Sequence, residues 1–151
     1  MKPNAQPDLP CFCASLRRAS RALSQLYEEA LRPAGLRISQ FTILQLLSLA
    51  GEVSQGEMGH MLAMDSTTLT RTLAIMSRHG WIARRPGEDR RVTRIRLSNA
   101  GRAVFARALP YWETVQARVR KKLRAGQWDE LMNASNAVTR MVASKTINRQ
   151  A

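Results

Sequence analysis

Apolar residues first recur at helical spacing at Leu16, Ala19, Leu23, Leu26 and Ala30, which predicts a helix from about Phe12 to Leu31, ended by Pro33 and Gly35. Three helix starts follow in close succession. Ser39 is placed to cap one, with Ile38 and Ile43 as a hydrophobic staple. Ser54 is placed to cap the next, with Glu57 completing a capping box and Val53 facing Met58. Asp65 is placed to cap a third, with Met64 facing Leu69. Gly51 and Gly80 supply left-handed stops. The period then shortens. Residues 81–85 and 91–97 read as two strands joined by a turn at Pro86–Arg90, with Ile95 and Leu97 facing inward and Arg94 and Arg96 outward. Ser98 opens a long helix to about Arg124, with Phe105, Leu109, Trp112, Gln116, Val119 and Leu123 on one stripe and an expected kink at Pro110. Gly126 breaks the chain before a last helix from about Gln127 to Ser144, which carries Trp128, Leu131, Met132, Ser135, Val138 and Met141 or Val142 on one face.

This order predicts a mainly α fold with a small β-wing. A winged helix-turn-helix at about 37–97 lies between helices at about 12–34 and 99–144. Residues 1–10 read as a flexible tail, 11–144 as one domain and 145–151 as a polar tail. The outer helices hold more apolar surface than a small winged unit needs for itself. They are therefore expected to pack on a second copy, and a two-fold homodimer sets two reading helices about one DNA turn apart.

Charge sharpens the picture. The 151 residues carry a net +13, and such an excess attracts a polyanion. Double-stranded DNA is the partner expected from the fold pattern, as an inverted-repeat operator. No apolar run is long enough to span a bilayer, and Met1–Pro10 lacks the apolar stretch of a secretory signal, so the protein is expected in the cytoplasm, away from membranes. No cofactor is expected. Cys11 and Cys13 without a nearby His or third Cys make a weak metal pattern.

Candidate DNA contacts follow from the chemistry of the middle segment. Ser54 and Gln55 open the first helix of the pair. Ser66, Thr67, Thr68, Thr70 and Arg71 occupy the first turns of the second, opposite Leu69, Leu73 and Met76. Hydroxyls can bond phosphates or base edges, and Arg71 can reach guanine or a phosphate. In the hairpin, Asp89 can hold Arg91 extended by a charged hydrogen bond, and a held arginine can enter the narrow minor groove. Arg84, Arg90, Arg94 and Arg96 are expected to serve flanking phosphates. The competing reading of this hairpin is a solvated basic surface with no partner. His60, His79 and the methionines at 58, 61, 64 and 76 are read as structural.

Taken together, Leu36–Phe41, Met64–Arg71, Gly80–Ile82, Asp89–Arg91 and Leu97–Gly101 resemble the MarR family of bacterial winged-helix regulators, a likeness running from about residue 12 to 142. The resemblance implies a homodimer, DNA contact by the helix beginning at Asp65, and minor-groove contact by Arg91 supported by Asp89. It also implies a sensing site where the reading lobe meets the dimerisation helices. Members are mostly repressors released by a small phenolic or carboxylate ligand, or by cysteine oxidation. Aligned on Gln40, Cys13 falls where the organic-hydroperoxide branch keeps its reactive cysteine. Tyr27 falls on a tyrosine that bonds that thiolate from the other subunit. Arg17 and Ile38 stand where two further tyrosines of that branch would be.

The residues around Cys13 support sensing on separate grounds. It lies in a helix's first turn, where the dipole favours a thiolate, with Arg17 four residues on. Cys11 is too near in sequence for an unstrained bond within one chain, but could resolve an oxidised Cys13 across a dimer. The competing reading is that one or both are small buried hydrophobes. Two other classes remain: a nonspecific architectural DNA binder, and a thiol enzyme, for which the chain lacks a supporting His-Asp set. The expectation is a non-enzymatic, sequence-specific regulator, controlled by oxidation of Cys13 or by a small inducer.

Overall fold

The computed structural model describes residues 10–89 and 92–147, the last five of these as backbone. Residues 1–9 of the expected N-terminal tail, the hairpin residues Arg90 and Arg91, and residues 148–151 of the expected polar tail lie outside the described residues. Helix α1 spans Phe12–Leu31 and is followed by a single tight turn at Arg32–Ala34; α2 spans Ile38–Ala50. A short strand β1 (Glu52–Ser54) leads into α3 (Gln55–Leu62) and α4 (Ser66–Arg78). Strands β2 (Ile82–Pro86) and β3 (Thr93–Leu97) form the hairpin, and α5 (Asn99–Lys122) and α6 (Gln127–Ile147) complete the chain. The antiparallel sheet has the order β1-β3-β2. The fold is thus mainly helical with a small β-wing, as the sequence pattern predicts.

Several boundaries differ from expectation for identifiable reasons. Ser39 does not cap α2. The helix begins at Ile38 because the Arg37 N–H donates to the Gln40 side chain (3.0 Å) and the Ile38 N–H donates to Glu28 of α1 (3.3 Å), which leaves Ser39 inside the first turn. Strand β1 has no periodic signature in three residues; it exists because Val53 lies opposite Ile95, with both side chains buried. Pro86 belongs to β2, opposite Thr93, rather than to the turn. Helix α5 runs unbroken through Pro110 and stops at Lys122, two residues short of expectation, whereas α6 continues three residues past Ser144 to Ile147.

The core lies where α2, α4, the sheet and α5 meet. Phe41, Leu44, Leu47, Met58, Leu69, Leu73, Met76 and Ile95 are fully buried there. Phe41 of α2 stacks on Trp112 of α5 (ring centroids 5.7 Å) and leans on Phe105 (5.3 Å), so an aromatic cluster ties the reading lobe to the long helix.

The hairpin's root is fixed to α5 by a compact set of bonds. Gly80 takes a left-handed φ of 69°, and the Trp81 N–H returns to Met76 O. Ser98 caps α5 by accepting the Gly101 N–H (2.9 Å), while its own hydroxyl donates to Gly80 O (2.5 Å) and its N–H donates to Trp81 O (3.1 Å). At Gly101 a Cβ would stand 1.9 Å from Trp81 O, so only glycine permits this closeness.

Candidate nucleic-acid interface

The reading unit is built from two capped helices and the turn between them. Ser54 accepts the Glu57 N–H (3.2 Å), and Glu57 returns the favour by accepting the Ser54 N–H (2.6 Å). Helix α3 ends at Ala63, a non-glycine residue in the left-handed region (φ 49°). Asp65 then caps α4 by accepting the Thr68 N–H (2.9 Å). Hydrogen bonds from Thr68, side chain first and then backbone, hold the Asp65 carboxyl below the usual carboxylate range. Met58, Leu69, Leu73 and Met76 are buried beneath, which fixes which face of α4 turns outward.

That outward face carries Ser66, Thr67, Thr68, Thr70 and Arg71, all exposed. Gln55 of α3 donates to the Thr70 hydroxyl (2.8 Å), so these two residues form a tie between the paired helices. Ser54 is half-buried and its oxygen is engaged in the cap. Ser54 thus serves the cap read from the sequence, whereas the tie from Gln55 to Thr70 is a structural duty that sequence reasoning did not assign.

On the hairpin, Arg84 is exposed, opposite Ile95 in register, and Arg96 is exposed on β3. The hairpin closes through the Gly87 N–H to Val92 O (2.7 Å) and the Val92 N–H to Asp89 O (2.9 Å). Arg94, expected to serve a phosphate, is engaged by protein groups. It donates to Glu57 (2.8 Å) and to the carbonyl of Glu52 (2.9 Å), and its Nε lies 3.5 Å from the Glu52 carboxylate. Arg85 also binds Glu52, at 2.8 Å. The hydrogen bond and charge of Arg85, reinforced by Arg94, lower the Glu52 pKa; for Glu57, hydrogen bonds from Ser54 dominate, with Arg94 adding to them. Sequence reasoning missed both glutamates as partners of the wing. The signal would have been the register that sets Glu52 against Arg96 and Ser54 against Arg94, which no local pattern reveals.

The candidate sensing residues are spread along α1. Cys11 is its capping residue and Cys13 lies in its first turn; both are exposed free thiols, and Arg17 is exposed one turn on. Within the single chain neither is buried. Tyr27 is half-buried near the helix's far end, about 21 Å from Cys13 at 1.5 Å per residue, so the two cannot meet within one chain. Its phenol donates to the Gln116 side chain of α5, and burial raises its pKa. Tyr27, Gln116, Trp112, Ile38, Leu23 and Val138 line a cleft of about 620 Å³ between α1, α5 and α6. A second, more apolar cleft of about 760 Å³ separates the α3–α4 turn from Val138 and Val142 of α6. Among the described residues no group of three or more His, Cys, Asp or Glu could hold a metal ion, and no helix is long and apolar enough to cross a membrane.

Comparison with known proteins places this geometry. The MarR family matches residues 36–93. The M. tuberculosis transcriptional regulator MosR, solved in complex with DNA, is 36% identical; the alignment covers 89% of this chain and 97% of that one, with a TM-score of 0.80. A second MosR structure is 34% identical over 89% of this chain and 97% of that one, with a TM-score of 0.78. YwoH, an uncharacterized HTH-type transcriptional regulator of Bacillus subtilis, is 34% identical over 50% of this chain, and the match spans 56% of its own length, about half of that relative.

Proposed function

The chain belongs to the MarR family, and from that premise we propose that it is a sequence-specific, double-stranded-DNA-binding transcriptional regulator that acts as a homodimer, most simply as a repressor. The observation that carries this reading is the outward face of α4. Four hydroxyls and Arg71 stand exposed beside a basic hairpin, on a frame similar to that of a regulator solved with DNA. Ser66, Thr67, Thr68, Thr70 and Arg71 enter the major groove. Gln55 and Ser54 orient and flank them. Arg84, Arg90 and Arg91, the last steadied by Asp89, serve backbone and minor groove.

The homodimer is supported by what the protomer leaves uncovered. Phe12 (66% exposed), Leu16 and Leu23 of α1, and Leu131 (49%) and Met132 (46%) of α6, are large apolar side chains at the surface. Patches of this kind mark association surfaces.

Footprinting and binding assays on DNA upstream of the protein's own gene test the reading. Protection of an inverted repeat is expected, with affinity falling steeply as salt rises. Arg71→Ala is expected to weaken operator binding by about tenfold or more. Nearly equal affinity for unrelated duplexes would favour an architectural DNA binder instead.

For the signal, we propose oxidation of Cys13, with Cys11 of the partner subunit as the resolving thiol. Exposure of both thiols and the neighbouring Arg17 support it. Mild peroxide is expected to release DNA from the wild type and not from Cys13→Ser. A second reading rests on the cleft at Tyr27, Trp112 and Gln116, whose size suits a small phenolic or carboxylate inducer. Equal release of both proteins by oxidant would remove Cys13 as sensor and favour that cleft.

A further inference from the structure

A hairpin can read DNA beside a helix only if the angle between them is held. Two strands twist about their root, and β1, the third strand, is only three residues long. Something beyond the sheet's ladder must brace the wing against α3 and α4.

The bracing group is a network of two carboxylates and two guanidinium groups. Arg94 stands in the middle strand, opposite Ser54 of β1 on one side and Arg85 of β2 on the other. All three kinds of nitrogen in its guanidinium have partners: Nη1 donates to Glu57 (2.8 Å), Nη2 donates to Glu52 O (2.9 Å), and Nε lies 3.5 Å from the Glu52 carboxylate. Arg85 joins through Glu52, with Nε donating at 2.9 Å and Nη2 at 2.8 Å. Glu57 is at once the second half of the α3 cap. The network therefore spans β2, β3, β1 and the first turn of α3.

The chemistry is unexpected for a DNA-facing surface. Two carboxylates near phosphate repel it, and they also neutralise cations that would attract it. Their presence makes sense if they serve geometry.

We propose that Arg94 is a positioning residue: gripped by Glu52 and Glu57, it sets the hairpin's angle to α3 and α4 and makes no contact with DNA itself. This rests on the DNA-binding reading above. It differs in sign from plain electrostatics. If charge alone mattered, Glu52→Gln would tighten binding by removing a repulsive anion. Under the positioning reading the same change loosens the grip and weakens binding.

The test compares operator affinity of wild type, Arg94→Ala, Glu52→Gln and Arg84→Ala across a salt series, using the upstream inverted repeat and an unrelated duplex. Arg84→Ala, the exposed comparator, is expected to lower the slope of log affinity against log salt by about 0.9 per subunit, as one lost phosphate contact does. Arg94→Ala is expected to weaken operator binding about tenfold with an unchanged slope, because a coupled contact is lost and no phosphate contact is. Glu52→Gln is expected to weaken operator binding several-fold while leaving the unrelated duplex nearly unaffected. Thermal unfolding of the variants should stay close to wild type, since exposed ion pairs add little to stability. A slope lowered by Arg94→Ala as by Arg84→Ala, or tighter operator binding by Glu52→Gln, overturns the proposal while leaving the DNA-binding reading intact. Failure of the wild type to prefer the operator overturns that reading instead, and the positioning role with it.

Discussion

The reading lobe and the helices outside it solve opposite problems with the same kinds of residue. Between Leu36 and Leu97, apolar side chains such as Phe41, Leu44, Leu73 and Ile95 are sealed inside one protomer. In α1 and α6, leucines, methionines and a phenylalanine remain at the surface, and Leu31 is the single fully buried residue of α1. Charge divides in a direction that composition hides. Residues 36–97 hold nine basic and five acidic side chains, a net of +4, so +9 of the total +13 belongs to the flanking segments. The lobe thus relies on a few placed cations on a folded frame, two of which, Arg85 and Arg94, are held by acids. The outer helices combine bare apolar stripes with a general positive field. The lobe closes most of its apolar side chains within the single chain, whereas α1 and α6 leave theirs at the surface.

The largest expected effect strikes the lobe. Phe41→Ala removes a fully buried ring that joins α2 to Trp112 and Phe105, and should cost about 4 kcal/mol of unfolding free energy in a denaturant titration. Gly101→Ala forces a methyl against the Trp81 carbonyl and should cost about 3 kcal/mol, with the hairpin root displaced. Leu23→Asp, on the uncovered side of α1, should do the reverse: little change in the lobe's packing, but dimer dissociation at least about tenfold easier in sedimentation. Equal damage to folding by Leu23→Asp and Phe41→Ala would erase the distinction between the halves.

Smaller effects sharpen it. Ala63→Gly relieves a left-handed φ of 49° in the turn between α3 and α4 and should raise stability by about 1 kcal/mol, read as a shift in denaturant midpoint. The carboxyls of Glu52, Glu57 and Asp65 are all held below their ordinary range. Their contribution is therefore present above the unfolded-state values and is lost as pH falls through the lower, folded ones. The unfolding midpoint should be flat from neutrality to about pH 5 and decline below about pH 4, and Glu57→Gln should flatten part of that decline.

What was legible in the sequence was local. Ser54, Asp65 and Ser98 announced their helices because a short polar side chain reaches its own N-terminal amides and nothing farther. Ser39 misled because the donors at that start are satisfied by Gln40 and by Glu28, the latter from another helix. The same limit hid the wing's network. Arg94 meets Glu52 from 42 positions away, and on paper a paired arginine looks the same as one facing solvent. Candidate contacts on α4 could be read because buried Leu69, Leu73 and Met76 fix the opposite face by period alone. Ala63 gave no sign, since its left-handed turn is one that glycine or asparagine would ordinarily advertise.

The joint at Ser98 and Gly101 turns α5 into a lever arm. Its first turn is fastened to the hairpin's root, and its 24 residues reach about 36 Å away, toward the uncovered helices. A swing of a few degrees, too slight to break any bond at the pivot, sweeps the distant tip through about 3 Å over that length. Run backwards, the same geometry means that a displacement at the far end of α5 is felt at the root of the wing, because one continuous helix joins the two.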